Sequence, residues 1–335
     1  MRKFLKYELK KHLWALVVLS VVCAIPYMIV TSQIDTHYPT IYGYVDPSLS
    51  MIAVFLGLLC FLAPPFVFSF KMNKRGVDAY YALPLKRWKL YLVKGIMGLL
   101  LVFIPFTVAF LGGFLFVAGA NAESHVFQLR MYVPAYFGFL LFGLCLYALN
   151  TFLFTRANTV ADGFIFMLAY LPLGYFAAEW YNNFTALDVG YKAQESLLTV
   201  GGLSDFTNKM TRLICGNAVK WSAWTFVFPI VLGVAASVLL FVTLPFEKGE
   251  NAEQISESWF GYKLFIPVYT AMFFTDGYLD IGLLCMIVVG AIVATVVFRR
   301  KFRFSWKWWV MIGGAIAIGL LLNTFSVHPF WKIVV

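Results

Sequence analysis

The residues able to do chemistry are few and widely spaced. The four histidines, His12, His37, His125 and His328, are scattered and lie at or outside the edges of apolar runs. An isolated imidazole in such a place is ordinarily an interfacial polar group. No H-E-x-x-H, G-x-S-x-G or G-x-G-x-x-G is present, so a metal-dependent or Ser/His-type intramembrane enzyme has little to build with. Of the five cysteines, Cys23, Cys60, Cys145, Cys215 and Cys285, four fall in apolar runs and act as small apolar residues. With no C-x-x-C, neither a disulfide framework nor a zinc site is indicated. No G-x-x-x-x-G-K-[ST] occurs, so the chain has no P-loop for ATP and is not expected to be an ATPase itself.

Carboxylates are equally sparse. Asp162 and Glu179 flank one apolar run at its two ends, and Asp276 and Asp280 fall in a short turn. A charge in mid-membrane is costly, and carriers keep one where it works. Without an intramembrane proton or sodium site, energy for transport is expected from elsewhere. Asn150 is the most notable polar residue within an apolar run, and an interhelical hydrogen bond is its expected use.

The most informative stretch is Lys71–Lys94, K-M-N-K-R-G-V-D-A-Y-Y-A-L-P-L-K-R-W-K-L-Y-L-V-K. Val77–Leu83 has room for about two helical turns. Val77, Tyr80, Tyr81 and Leu83 give these turns an apolar, aromatic surface. Pro84 stops them, because it lacks an N–H and disfavours helix in the residue before it. Lys86, Arg87 and Lys89 then reach phosphates, Trp88 sits at interface depth, and a new helix continues. The stretch reads as a docking helix for a soluble partner and equally as an ordinary basic loop.

The elements that must position these residues are membrane spans. Of 335 residues 61% are hydrophobic and only 13% charged, about half the charged share of a soluble domain. Such a chain lacks the polar residues to cover a soluble core, and lipid is the solvent that fits. Apolar runs are Leu13–Val30, Met51–Phe70, Gly95–Ala118, Tyr132–Phe154, Gly163–Trp180, Trp221–Leu244, Ile281–Phe298 and Trp308–Thr324. Trp259–Phe274 is a ninth of marginal length, a short span or a re-entrant segment, with Lys263 and Pro267 inside it. The basic Met1–His12 ahead of the first run resembles a signal peptide, but no small-x-small site follows. It is read as the start of an uncleaved span.

The formal charge of +10 has an orientation explanation before a nucleic-acid one, since no compact basic domain is present. With the N-terminus in the cytoplasm and nine crossings, the inside segments hold all the Lys and Arg except Arg130, Lys192, Lys209, Arg212, Lys220 and Lys332. That is the asymmetry of the positive-inside rule, and it favours a crossing by Trp259–Phe274. Two loops are long, the cytoplasmic Lys71–Lys94 and the external Tyr181–Lys220. The external loop carries Leu203, Phe206, Met210 and Leu213 at helical intervals, with Ser204 or Asp205 as cap, and reads as a lid on the membrane surface. The acidic Glu247–Glu257 reads as a solvated connector, or as a second contact for a partner.

The run Arg75, Asp78, Tyr80, Leu83-Pro84, Arg87, Leu90 and Lys94, leading into a long apolar helix, resembles the loop after the second span of bacterial type-2 ABC exporter permeases of the Gram-positive kind. In that family the loop carries the coupling helix that contacts the ATP-binding subunit. Met1–His12, with Leu5, Leu9 and Leu13 along one stripe, is similar to the family's amphipathic connecting helix. The loop before Trp221 resembles its extracellular helical element. The likeness of layout covers roughly residues 1–245, the residue-level motif is confined to 75–94, and the chain continues past the six spans of the simplest members.

The expected fold is therefore an all-α, polytopic membrane helical bundle of eight or nine apolar spans in one domain, residues 1–335. It has an N-terminal amphipathic helix at 1–12 and a cytoplasmic coupling helix within 71–94. The resemblance implies a multi-pass cell-membrane permease subunit, paired with a second permease chain, identical or different. ATP and magnesium would be held by a separate ATP-binding cassette subunit, with no cofactor in this chain. Val77, Asp78, Tyr80, Tyr81, Leu83, Pro84 and Arg87 would dock that subunit. Lys3, Lys6, Lys10, Lys11, Lys86 and Lys89 would anchor the chain to the lipid surface. The aromatic share of 19% suits an apolar, lipid-like or peptide substrate and equally plain lipid-facing filler. An ATP-independent carrier or channel and a membrane sensor or assembly factor are the rival readings.

Overall fold

A computed structural model describes residues 2–32, 49–120, 129–170, 209, 224–244, 249–254, 256, 258–274, 287–295 and 306–327. Among these residues every regular element is helical. Helix α1 is Arg2–Ser32, α2 Leu49–Phe68, α3 Lys74–Tyr81, α4 Arg87–Ala120 and α5 Leu129–Thr155. Then come α6 at Val160–Tyr170, α7 Trp224–Thr243, α8 Tyr262–Phe273, α9 at 287–295 and α10 Trp306–Val327.

Four stretches are long and apolar enough to cross a bilayer: Lys3–Thr31, Leu49–Met72, Arg87–Phe116 and Tyr132–Thr155. They coincide with the first four runs read from sequence. Their outward faces are apolar too, as on α1, where Trp14, Val18, Val21, Ile25 and Ile29 are all exposed. A soluble protein does not leave such continuous apolar surface uncovered. The chain is a membrane protein. The expectation of eight or nine spans extends into residues outside the described set, as do the loop 181–220 apart from Lys209 and the turn holding Asp276 and Asp280. Helix α8, at 12 residues, is about 18 Å long and does not by itself cross a hydrocarbon core of ~30 Å.

The basic segment expected as an amphipathic helix at 1–12 and the first apolar run form one helix, and α1 runs unbroken for 31 residues. No glycine, proline or capping residue lies near the His12–Leu13 junction, so nothing in the chain interrupts the helix there.

Helix α4 packs along α1 and α2, and α5 along α2 and α7. Between α4 and α5 lies an aromatic layer in which Phe106 stacks on Tyr136 at 6.0 Å and Phe110 meets Tyr132 edge-on at 6.3 Å. Thr107 Oγ1 and the Tyr136 hydroxyl share a 2.9 Å hydrogen bond, which satisfies both in an apolar setting.

Asn150 makes the interhelical bond expected of it, and the geometry explains why an amide is needed. Pro64 in α2 has no N–H to offer the carbonyl of Cys60, four residues back. Asn150 Nδ2 donates to that carbonyl at 3.2 Å. Cys60 Sγ in turn donates to the Gly143 carbonyl at 3.3 Å. An Asn150→Leu variant is expected to leave the Cys60 carbonyl unsatisfied, at a cost of about 1–3 kcal/mol. A lower midpoint of thermal unfolding in detergent checks this, and an unchanged midpoint would mean that water reaches the carbonyl.

Candidate functional site

The α2–α4 turn is built by local rules. A 3-10 turn, Ser69–Met72, ends α2. Asn73 then caps α3, its Oδ1 accepting from the Arg75 N–H at 3.0 Å. The Ala82 N–H donates to the Asp78 carbonyl at 3.1 Å as α3 closes, and Pro84 separates it from Arg87, the first residue of α4. Gly76 allows α3 to lie against the end of α2, since a Cβ there would stand 2.5 Å from the Phe70 carbonyl oxygen.

The docking set splits into two faces. Val77 is buried, and the Tyr80 ring packs 4.5 Å from Phe70 and edge-on to Phe4 at 6.5 Å. These two pack on the bundle, because an eight-residue helix on an apolar bundle must itself be seated by its apolar side chains. Asp78, Pro84 and Arg87 are exposed. Tyr81 and Leu83 are half-buried, with the Arg87 guanidinium 4.9 Å from the Tyr81 ring centre. Asp78, Pro84 and Arg87 remain outward, with the uncovered parts of Tyr81 and Leu83 beside them.

Beneath α3 lies a buried polar cluster that sequence reading did not find. Glu8 of α1 and Lys94 of α4 are 0% and 2% exposed. Lys94 Nζ donates to Glu8 Oε2 at 2.8 Å and to the Tyr80 hydroxyl at 3.1 Å. The Tyr80 hydroxyl donates to Glu8 Oε1 at 3.2 Å and accepts from Lys11 Nζ at 3.1 Å. Lys94 also stands 4.2 Å from the Tyr80 ring centre, within cation–π range. His12 Nε2 lies 3.5 Å from Glu8 Oε2. Each partner of the buried pair thus has its counter-charge and further polar contacts, the condition under which such a pair is sustained.

Three further segments meet at this end. Lys71 Nζ donates to the Thr155 carbonyl at the end of α5. Lys74 pairs at 3.8 Å with Glu253, whose own N–H donates to the Asn158 carbonyl at 3.1 Å. The Asn158 N–H donates to Ser256 Oγ at 2.7 Å. Ser256 Oγ and the Tyr262 hydroxyl donate to the two Asp162 oxygens at 2.7 and 2.6 Å. The described part of the acidic stretch 247–257 is bonded to the α5–α6 turn through Glu253 and Ser256, while Glu250, Asn251 and Gln254 stay exposed as expected of a solvated connector. Lys3, Lys6, Lys10 and Lys86 are exposed and Lys89 is half-exposed, placing their charges where they can meet a polar boundary, whereas Lys11, also exposed, is bonded to the Tyr80 hydroxyl.

This chain matches no protein-family model, no curated protein and no solved structure. The geometry therefore carries the functional argument alone. Among the described residues no group of three His, Cys, Asp or Glu could hold a metal ion. A second feature is an apolar cleft of about 750 Å³ between α6, α8 and α9, bordered by Ile165, Phe265, Tyr269 and Ala291. Its polar atoms are already used: the Tyr269 hydroxyl donates to the Ala169 carbonyl at 2.6 Å and Thr270 Oγ1 to the Ile266 carbonyl at 2.8 Å.

Glu8 carried one signal that would have exposed the cluster. It is the lone carboxylate of the first thirty residues, set among lysines, where repulsion between cations favours a neighbouring anion.

Proposed function

We propose that the chain is the membrane-spanning subunit of an ATP-driven exporter and that α3 is where a separate ATP-binding subunit docks. The observation that carries this reading is the two-faced seating of α3. Its inner face is fixed by Val77 and Tyr80, with Tyr81 half-buried beside them, while Asp78, Pro84 and Arg87 stay outward at the basic end of the bundle. A loop serving only to connect α2 and α4 has no need of a capped helix seated on an ion pair. The lysines and arginines near the ends of α1 and α4 support placing this end in the cytoplasm, with the N-terminus. The further spans beyond the four, a second permease chain and an apolar substrate belong to the same reading. ATP and magnesium are expected in the partner, since this sequence has no P-loop.

The test is purification of the tagged chain from its native host in mild detergent. An ATP-binding subunit is expected to accompany the parent. An Asp78→Lys, Tyr81→Asp, Arg87→Glu variant is expected to bind it roughly thirtyfold or more weakly, the loss of about 2 kcal/mol that one interface hot spot carries. Retention at parental levels would move the docking site elsewhere.

The buried Glu8–Lys94 pair favours a second reading, an ion-coupled carrier, because a buried titratable pair at the end of a span is a common proton or cation site. Transport that survives ATP depletion and is abolished in Glu8→Gln would decide for the carrier.

A further inference from the structure

We infer that α3 and α1 move as one body, joined through the Tyr80 hydroxyl to the buried Glu8–Lys94 pair, so that a push on α3 is delivered to the first span. The inference rests on the reading of α3 as the docking helix and adds the route by which its displacement would enter the membrane. Three elements contribute one group each to a single junction: Glu8 from α1, Tyr80 from α3 and Lys94 from α4. Lys11, one helical turn along α1 from Glu8, also donates to the Tyr80 oxygen, so α1 grips that oxygen from two positions.

The chemistry makes this junction stiff. Three ionised groups converge on the Tyr80 oxygen, at 3.1, 3.1 and 3.2 Å, so the joint rests on several directional bonds rather than on one. A slide of α3 by roughly one ångström against α1 would break the Tyr80–Glu8 bond and leave the buried Glu8 carboxylate short of one partner. Moving α1 with α3 keeps the bond. The close packing of Gly76 and Tyr80 on Phe70 holds α3 to the end of α2 and not to α1. The Lys74–Glu253 pair is long and exposed, worth little in water. Val77 contributes an apolar contact without directionality.

The pair also separates two roles. Glu8 and Lys94 remain bonded to each other when Tyr80 leaves, so α1 stays fastened to α4 whatever α3 does. Tyr80 is therefore a positioning residue, the specific tether between the outward helix and the span.

Electron–electron distance measurement in lipid nanodiscs tests this. Spin labels are placed at Trp14 of α1 and Ala79 of α3, both exposed, with the five native cysteines replaced by alanine. The parent is expected to give one narrow distance distribution. Tyr80→Phe, which removes only the hydroxyl, is expected to broaden it at least twofold, and Tyr80→Ala more. Asp78→Ala, on the outer face, is expected to leave it unchanged. Distributions for both Tyr80 variants that superimpose on the parent would overturn the inference. So would a parental distribution already as broad as that of Tyr80→Ala. Docking fails separately, when no ATP-binding subunit copurifies with the parent whatever its distance distribution.

Discussion

Replacing Glu8 with leucine is expected to lower the stability of the chain more than any other single change at this end of the bundle. The substitution strands Lys94, which is 2% exposed, with only the Tyr80 hydroxyl and the neighbouring aromatic faces for company. Removing one partner of a buried ion pair costs about 3–5 kcal/mol, mainly because the other charge stays desolvated. The companion double variant, Glu8→Leu with Lys94→Met, removes both charges and keeps the volume apolar. It is expected to recover most of the loss, since an apolar replacement of a buried pair is often neutral. Buried Cys23, Cys60 and Cys145 offer the readout, as a thiol-reactive fluorophore reports their exposure on heating. A midpoint well below the parent for Glu8→Leu and near the parent for the double variant is the expected pattern. Equal midpoints for the single variant and the parent would show that water reaches the pair.

The same double variant separates stability from coupling. A chain that folds without the pair but still carries Tyr80 has lost the bond that hydroxyl donates to Glu8 and the one it accepts from Lys94. If the pair served only to hold α1 against α4, the apolar version would keep the parent's narrow distance distribution between α1 and α3. If it serves to join α3 to α1, folding survives and the response of α1 to α3 does not.

The helical bundle was legible because apolar runs of twenty residues have few alternatives. The backbone must satisfy itself in lipid, and a helix does this within one segment. Asn150 was legible for a related reason: an amide inside an apolar helix must find a partner, although its link to Pro64 needed the structure. The faces of α3 were not legible. Val77, Tyr80, Tyr81 and Leu83 all read as one apolar surface on an eight-residue helix. Only the position of Phe70, Phe4 and Glu8 around it decides which of them point inward. Glu8 itself was obscured by its basic neighbours, because composition places Met1–His12 at the headgroups and says nothing of a lysine 86 residues later that closes on it.

Gly76→Val is expected to unseat α3 while leaving the spans folded. A β-carbon at residue 76 would lie 2.5 Å from the Phe70 carbonyl oxygen, 3.1 Å from its Cα and 3.2 Å from its carbonyl carbon. All three are backbone atoms, so no side-chain rotation relieves the contact. Either the end of α2 or α3 must shift, and α3 is the shorter and less buried of the two. A forced shift of this kind costs about 1–3 kcal/mol. For a helix of eight residues that is enough to raise the open fraction roughly five- to 150-fold, at 1.36 kcal/mol per factor of ten. Hydrogen–deuterium exchange over residues 74–82 is expected to accelerate by that factor, with exchange in the middle of α2 and α4 unchanged. Gly76→Ala introduces the same first carbon without branching and is expected to show the smaller end of the effect. Because Tyr80 leaves its seat when α3 shifts, the distance between α3 and α1 should broaden in Gly76→Val as it does in Tyr80→Ala. Accelerated exchange with a distance distribution as narrow as the parent's would mean that α3 is held to α1 by something other than Tyr80. Agreement between the two measurements would locate the joint in that one side chain, reached by two substitutions that disturb it in physically different ways.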